Sequence, residues 1–190
     1  MQPGPRRTAA LVAWFQGLFE DRSEAPVLVG GGAVELYTGG AYMTGDLDFV
    51  GQLTDPVVKA LAEAGFRRIG RHWKHERGQL FIEIPGSFLE KGVQATEMDA
   101  FGETVRVITP EDVLVDRLAG WKFWQSGAHG LNAYLIYKEV GGVLDRARLE
   151  ERARSEDVLD AWNEVERFAQ ETEGREATEE ELRGWARRER

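Results

Sequence analysis

Two aspartates separated by one apolar residue, Asp46 and Asp48, constrain this chain more than any other feature of its sequence. The surrounding segment 45–50 has the composition of a strand, and side chains alternate between the two faces of a strand. The two carboxylates therefore share one face, while Leu47 and Phe49 point into the core. Carboxylates so placed repel each other unless a cation lies between them, and their hard oxygen ligands suit Mg²⁺ or Mn²⁺. The pair predicts a divalent metal site on a strand.

A glycine-rich turn precedes this acidic strand. An apolar strand is predicted at 27–29, three glycines follow it, and a short helix is predicted over 33–37. The glycines are Gly30, Gly31 and Gly32. Glycines let backbone N–H groups approach phosphate oxygens, and a helix that begins there adds its positive end. A glycine run alone also marks ordinary tight turns, and this one fits neither the dinucleotide fingerprint nor the P-loop. Together with the acidic pair, it predicts a site for a metal-bound nucleoside triphosphate.

The rest of the sequence divides the chain into two regions. Residues 1–108 alternate helix and strand signals, whereas residues 109–190 have the three- and four-residue apolar spacing of amphipathic helices. We therefore expect an α+β fold, with a mixed sheet flanked by helices in the first region and a C-terminal helical bundle in the second. The other elements expected in the first region are a helix over 9–19 capped by Thr8, a helix from 54–56 to Gly65, strands at 66–74 and 80–84 joined by a turn at 76–78, and a strand at 105–108.

Composition excludes several classes of protein. The sequence contains no cysteine, so disulfides, thiolate metal sites and thiol nucleophiles are excluded. No apolar run reaches the roughly 20 residues that span a bilayer, and the first residues lack the long apolar stretch of a secretory signal. We therefore expect a cytoplasmic protein with no membrane partner. A net charge of −9 also argues against a general nucleic-acid coat protein.

The glycine and aspartate motifs together resemble the polymerase-β-like nucleotidyltransferase superfamily. The resemblance rests on two strings, Val29-Gly30-Gly31-Gly32-Ala33 and Thr44-Gly45-Asp46-Leu47-Asp48-Phe49. The sequence is most similar to the bacterial branch that contains AbiEii-type toxins of toxin–antitoxin pairs. This resemblance implies a Mg²⁺-dependent (or Mn²⁺-dependent) enzyme that transfers a nucleoside monophosphate from an NTP to a hydroxyl group. It also implies an RNA or protein acceptor and a cognate antitoxin-like partner, while more distant relatives imply a small-molecule acceptor such as an aminoglycoside.

Members of this superfamily carry a third carboxylate on a neighbouring strand, and Glu83 is the matching residue. It alternates with Ile82 and Ile84, so its side chain lies on the face opposite two core residues. An ordinary exposed strand glutamate would give the same pattern. The resemblance implies that Asp46, Asp48 and Glu83 are the catalytic, metal-binding residues, with Glu83 serving the ion that activates the acceptor.

The nucleotide ligands implied are the three glycines with Thr44 and Lys122. One departure from the branch concerns this group, because Tyr42 stands where relatives often have arginine two residues before the threonine. Lys122 or Arg117, on the helix that follows Pro110, could supply the missing charge, although their spacing of five does not place both on one helix face. The departure also leaves open a catalytically silent module that keeps the fold and acts in binding or regulation.

A basic segment precedes Glu83 in the sequence. Five cations occur between Arg67 and Arg77, interleaved with His72, Trp73 and His75. They could contact an RNA backbone with Trp73 as a stacking surface, or they could protect a solvated edge strand. The two histidines, three residues apart on a strand, face opposite sides and make poor joint metal ligands. For the aromatic residues of the helical region we expect core packing rather than base stacking; these are Trp121, Trp124, Tyr134 and Tyr137.

Overall fold

The computed structural model of the protein describes residues 3–187 and divides the chain into two compact units, Met1–Thr109 and Pro110–Arg190. The first unit contains a mixed β-sheet with helices, and the second is helical. The predicted α+β class is confirmed. None of the helices in the described part of the chain combines the length and apolar character needed to cross a membrane.

The sheet of the N-terminal unit has seven strands in the order β3-β4-β5-β2-β1-β7-β6. The pairs β1–β7 and β2–β5 are parallel, and the other neighbours are antiparallel. The strands are β1 (Val27–Val29), β2 (Leu47–Val50), β3 (Arg67–Ile69), β4 (His72–His75), β5 (Leu80–Gly86), β6 (Ala95–Ala100) and β7 (Glu103–Ile108). Strand β2 therefore lies inside the sheet, with β1 on one side and β5 on the other.

The helices are distributed over the two units. The N-terminal unit has α1 (Pro5–Gln16), α2 (Gly30–Tyr37) and α3 (Asp55–Glu63), with a short 3₁₀ turn at Arg22–Glu24. The C-terminal unit has α4 (Pro110–Trp124), α5 (Gly127–Val140), α6 (Arg146–Ser155), α7 (Leu159–Glu171) and α8 (Glu179–Ala186), with a 3₁₀ turn at Gly141–Val143.

Helix α1 packs on the sheet but begins earlier than predicted. Pro5 occupies its first turn, where a missing N–H costs nothing, so the helix starts before Thr8. Thr8 is buried within the helix and is not its cap. Phe15 contacts Phe49 on β2, with 4.6 Å between the ring centroids. This contact anchors the acidic strand from its core side.

The segment predicted as one strand at 66–74 is instead a tight hairpin. The chain turns at Gly70, whose φ of +64° suits glycine, and β3 pairs with β4 through Arg68 opposite Trp73. The predicted turn at 76–78 is confirmed, and β5 follows it. Strand β6, which pairs with β7, was not predicted from the sequence.

Aromatic side chains form the centre of the C-terminal unit. Trp185 stacks on Phe168 with centroids 4.6 Å apart, and Trp121 lies 4.4 Å from Trp185. Tyr134 is also buried there, and Tyr137 packs edge-on against Trp162. Core packing is therefore confirmed for three of the four predicted residues. It is wrong for Trp124, which is 78% exposed at the end of α4.

Candidate functional site

Two of the three predicted acids, Asp48 and Glu83, lie in one row that crosses the sheet from strand to strand. Asp48 on β2 pairs with Val29 on β1 and, on its other side, with Glu83 on β5. Directly opposed residues of neighbouring strands share a face, so the side chains of Asp48 and Glu83 lie on the same side of the sheet. Leu47 and Phe49 are buried on the other side, as predicted. The sheet thus brings together two acids that are far apart in the sequence.

The glycine run lies directly against this row. The predicted helix at 33–37 begins earlier, because the three glycines form the first turn of α2. Gly30 has a φ of +61°, and a Cβ atom placed on it would lie 2.5 Å from Oδ2 of Asp48. A Cβ on Gly31 would lie 2.9 Å from Oγ1 of Thr44 and 3.4 Å from the Tyr42 hydroxyl. The first N–H groups of a helix have no partner within the helix, so this turn offers donors beside the aspartate.

Thr44 connects the glycine turn to Asp46. Its hydroxyl donates to Oδ1 of Asp46 at 3.0 Å, and Asp46 itself is exposed just before β2. The backbone N–H of Thr44 donates to Oε2 of Glu35 at 3.2 Å. Glu35, on α2, is only 1% exposed. Glu35 was not predicted as a site residue; its signal in the sequence is an acid inside the otherwise apolar segment 33–37.

Glu83 has two partners from the β3–β4 hairpin, a guanidinium group and an imidazole ring. Nε of Arg71 lies 2.5 Å from its Oε1, and Nδ1 of His72 lies 3.4 Å from its Oε2. The Glu83 side chain is 15% exposed, whereas that of Arg71 is 64% exposed. Within residues 3–187, no three His, Cys, Asp or Glu side chains are gathered as a metal site. Glu83 is therefore next to Asp48 in register, with its carboxylate turned to the hairpin.

The donor set nevertheless fits a hard divalent cation. Asp46 and Asp48 supply carboxylate oxygens, which are the ligands that Mg²⁺ and Mn²⁺ prefer. The short distance between the Cα region of Gly30 and the Asp48 carboxylate places the backbone N–H groups at the helix start, which can bind phosphate oxygens, next to these metal ligands. Glu83 can join such a site only if its ion pair with Arg71 opens.

Trp73 does not offer the stacking surface suggested by the sequence. It is 4% exposed and faces the core together with Ile82, its partner on β5. His75 is on the same side of β4, where its Nδ1 accepts a hydrogen bond from the Gly78 N–H at 2.8 Å. His72 faces Glu83 on the opposite side, so the two histidines are separated as predicted.

The cations suggested for the triphosphate lie in the C-terminal unit, where both have partners. Nζ of Lys122 donates to Oδ1 of Asp160 at 2.9 Å and lies 3.4 Å from Oδ2 of Asp157. The hydrogen bond with Asp160 raises the pKa of Lys122. Arg117 donates to its neighbour Asp116. The use of Lys122 as a nucleotide ligand stays a prediction.

Two solved structures share the fold of this chain. An antigenic nucleotidyltransferase-like protein from Paracoccidioides brasiliensis has a TM-score of 0.58 and 14% identity, over 85% of this chain and 95% of that one. The antibiotic-resistance factor ANT(2'')-Ia has a TM-score of 0.54 and 15% identity, over 88% of this chain and 99% of its own. No protein-family model and no curated protein matches the sequence. The fold is that of nucleotidyltransferase-like proteins, as the sequence motifs implied.

Proposed function

We propose that this protein is a Mg²⁺-dependent nucleotidyltransferase, which moves a nucleoside monophosphate from an NTP to a hydroxyl group. One observation carries the proposal: the first turn of α2 lies so close to Asp48 that a Cβ atom on Gly30 would be 2.5 Å from Oδ2 of that residue. Backbone N–H groups that can bind phosphate therefore lie next to carboxylates that can bind a metal ion. The fold shared with nucleotidyltransferase-like proteins supports the same conclusion.

In this proposal each residue of the site has one task. Asp46 and Asp48 would hold Mg²⁺ or Mn²⁺, which supplies electrostatic stabilisation of the phosphate oxygens when bound. The N–H groups of the glycine turn bind phosphate oxygens of the NTP. Thr44 orients Asp46 through its hydroxyl, and Glu35 fixes the backbone of Thr44.

Glu83 is the residue that accepts a proton. The acceptor oxygen forms a bond to the α-phosphorus, the bond from that phosphorus to the pyrophosphate oxygen breaks, and the hydroxyl proton passes to the Glu83 carboxylate. Pyrophosphate leaves with the bonding electrons. Arg71 now occupies one oxygen of Glu83, so opening of this half-exposed ion pair precedes proton transfer.

The acceptor and the biological setting follow from the sequence resemblance and remain proposals. The AbiEii-type branch favours an RNA or protein acceptor, a cognate antitoxin-like partner and a cytoplasmic location. The antibiotic-resistance factor of the same fold keeps a small-molecule acceptor as an alternative. Lys122 would contribute to NTP binding only after release from Asp160.

A second candidate is a nucleotide-binding module that transfers nothing. The ion pair between Arg71 and Glu83 favours it, because Glu83 then stays outside the acidic site. Tyr42 favours it too, since its hydroxyl lies beside Gly31 where relatives often place a guanidinium. In this alternative the protein binds a metal–NTP complex and acts through the bound state.

Calorimetry with Mg²⁺ and each of the four NTPs tests the proposal. We expect one or more NTPs to bind in the presence of Mg²⁺, and D46N or D48N to weaken this binding at least tenfold. Glu97→Gln, which changes an exposed acid on β6, is the matched control and should bind as the wild type does. Unchanged affinity in both aspartate variants would contradict the site.

Transfer is measured separately, with α-labelled NTPs and total tRNA, bulk protein or aminoglycosides as acceptors. Label in any acceptor, lost in the Glu83→Gln variant, supports the transferase. Binding of an NTP without transfer to any of these acceptors would favour the non-catalytic module.

A further inference from the structure

A second row of residues runs beside the acidic row on the same face of the sheet. Arg67 on β3 pairs with Lys74 on β4, and Lys74 pairs with Phe81 on β5. Phe81 is two residues from Glu83 on β5, as Lys74 is from His72 on β4, so the two rows share a face. Leu47 pairs with Ile82 in the parallel register of β2 and β5, and Asp46 and Phe81 are the residues that directly precede this pair in the sequence. This second row therefore leads from Asp46 outward to the edge of the sheet.

The row presents an aromatic ring followed by two cations. Phe81 is 39% exposed, and Nζ of Lys74 lies 5.6 Å from its ring centroid. Arg67 is exposed on the edge strand β3. Because neighbouring strands are about 5 Å apart, the two cations lie roughly 5 and 10 Å from Phe81, on the side away from Asp46. A Glu76 oxygen lies 3.9 Å from Lys74, and such an exposed pair binds weakly.

This part of the surface is positively charged, although the chain as a whole is negatively charged. Residues 67–77 contain five cations and a single acid, Glu76, whereas the chain carries a net charge of −9. Arg68 lies over Trp73 on the core side, and Arg71 is held in its ion pair with Glu83 at the acidic row. Arg67 and Lys74 lie on the same face as that row and are the cations of the second row.

We propose that Phe81, Lys74 and Arg67 form the binding surface for a single-stranded polynucleotide, which places a terminal hydroxyl beside the acidic row. This inference rests on the proposed function, and it names the acceptor of that same site. A base stacks on Phe81, and the following phosphates contact Lys74 and Arg67. The NTP does not need these cations, because its phosphates lie at the glycine turn, on the other side of Asp48. An unpaired strand is required, since a base stacked within a duplex does not expose its face to Phe81.

Binding of a 5′-fluorescein-labelled 12-nucleotide RNA, followed by anisotropy in EDTA, tests this surface without any transfer reaction. The DNA oligomer of the same sequence and the matching RNA duplex are measured in parallel. We expect the single strands to bind more tightly than the duplex. Phe81→Ala should weaken single-strand binding about tenfold, and Phe81→Trp should restore it. Phe88→Ala, which removes an even more exposed phenylalanine outside the row, is the matched control and should have no effect.

Removal of the two cations, Arg67 and Lys74, should change the salt dependence of binding. Arg67→Ala with Lys74→Ala should lower the slope of log affinity against log salt by about 1.4, since each lost phosphate contact removes about 0.7. Lys59→Ala, an exposed lysine on α3, is the control with unchanged slope. Equal affinities for Phe81→Ala and the wild type, an unchanged salt slope in the double variant, or tighter binding of the duplex would each overturn the proposal.

The outcome is separable from that of the proposed function. If Mg²⁺·NTP binding is intact but the oligomers do not bind, this surface is wrong and the nucleotidyltransferase site stands with another kind of acceptor. If the oligomers bind through Phe81 while D46N and D48N leave NTP binding unchanged, the surface stands and the metal site is wrong. Different affinities for RNA and DNA identify which polynucleotide the surface prefers.

Discussion

The buried carboxylate of Glu35 accepts a hydrogen bond from the backbone N–H of Thr44, with 3.2 Å between the nitrogen and Oε2. Thr44 in turn donates its hydroxyl to Asp46. The buried acid thus helps to tie the loop that carries an exposed, proposed metal ligand to α2, together with the hydrogen bond from the Tyr42 N–H to Oγ1 of Thr38. Glu35 has no route to a phosphate or a metal in this arrangement, so it is a positioning residue.

Two replacements of Glu35 distinguish the loss of its hydrogen-bond acceptor from the loss of its charge alone. Glu35→Met keeps the length of the side chain but leaves the Thr44 N–H without its acceptor, which should cost about 1 to 3 kcal/mol of unfolding free energy. We also expect weaker Mg²⁺·NTP binding, because Asp46 loses its fixed loop. Glu35→Gln retains an acceptor oxygen and should recover most of the NTP affinity. Urea unfolding and calorimetry measure the two effects, and full NTP affinity in Glu35→Met would contradict the positioning role.

Gly30 should tolerate no side chain if phosphates bind beside it. Gly30→Ala combines an unfavourable φ of +61° with a Cβ placed 2.5 Å from Asp48, so it should lower stability and abolish Mg²⁺·NTP binding. Gly39→Ala is the matched control, since it has a φ of +59° and no atom within 4 Å of its Cβ. We expect Gly39→Ala to lose only about 1 to 2 kcal/mol, the cost of the backbone conformation, and to keep its NTP affinity.

The ion pair of Arg71 should restrain Glu83 rather than stabilise the fold. Arg71→Ala breaks a pair whose arginine is largely exposed, so the unfolding free energy should change by less than about 1 kcal/mol. The freed Glu83 can then join Asp48, and we expect Mg²⁺ to bind a few-fold more tightly in calorimetry. Arg77→Ala, a nearby exposed arginine, is the control. Weaker Mg²⁺ binding in Arg71→Ala would show that the pair holds Glu83 in a useful position.

Asp112 should be the acid on which the C-terminal unit most depends. Its side chain is 1% exposed and accepts from Arg148 at 2.5 Å and from Nε of Arg152 at 3.0 Å. Asp112→Ala removes the buried acceptor of two guanidinium groups that keep Glu111 and Glu156 as partners, which should cost about 1 to 3 kcal/mol. Asp116→Ala, on the same helix but 57% exposed, should cost under about 1 kcal/mol. Urea unfolding compares the two, and equal losses would contradict the assignment.

The start of α8 should weaken in acid. Hydrogen bonds from Arg175, and then from Thr178, lower the pKa of Glu181 from 4.5 to about 2. A lowered carboxyl pKa contributes stability above the unfolded value, and that contribution disappears as the pH falls from about 4.5 to 2. The difference in Tm between the wild type and Glu181→Gln should therefore stay constant from pH 7 to pH 5 and shrink below. Glu180→Gln should show no such dependence.

The acidic strand could be predicted because its pattern is local. Leu47 and Phe49 alternate with the aspartates, and burial of the two apolar side chains follows directly from a period of two. The partnership of Asp48 with Glu83 was implied only by the family resemblance, because it depends on β5 joining β2 while the β3–β4 hairpin stays outside. The pairing register of two strands that are far apart in the sequence cannot be read from the local residue pattern.

The errors have equally specific causes. Strand β6 was missed because it lies at the sheet edge, where its alternate exposed side chains Glu97 and Asp99 need not be apolar. Trp73 was taken for an exposed ring because its sequence neighbours are polar, although its partner Ile82 covers it. Glu35 was missed because the role of a buried acid inside an apolar helix is recognised only from the backbone N–H group that donates a hydrogen bond to it.

Because Leu28 pairs with Val107 in parallel, β1 cannot be paired on both sides until the much later strand β7 has been translated. Strand β1, which delivers the chain to the glycine turn, lies between β2 and a strand that is translated much later. A nascent chain that ends before residues 103–108 leaves one side of β1 as an open edge, which invites pairing with other chains. The long loop that must close before this pair forms makes the sheet slow to assemble. The ribosome therefore has most of the N-terminal unit outside its tunnel before β1 is closed on both sides.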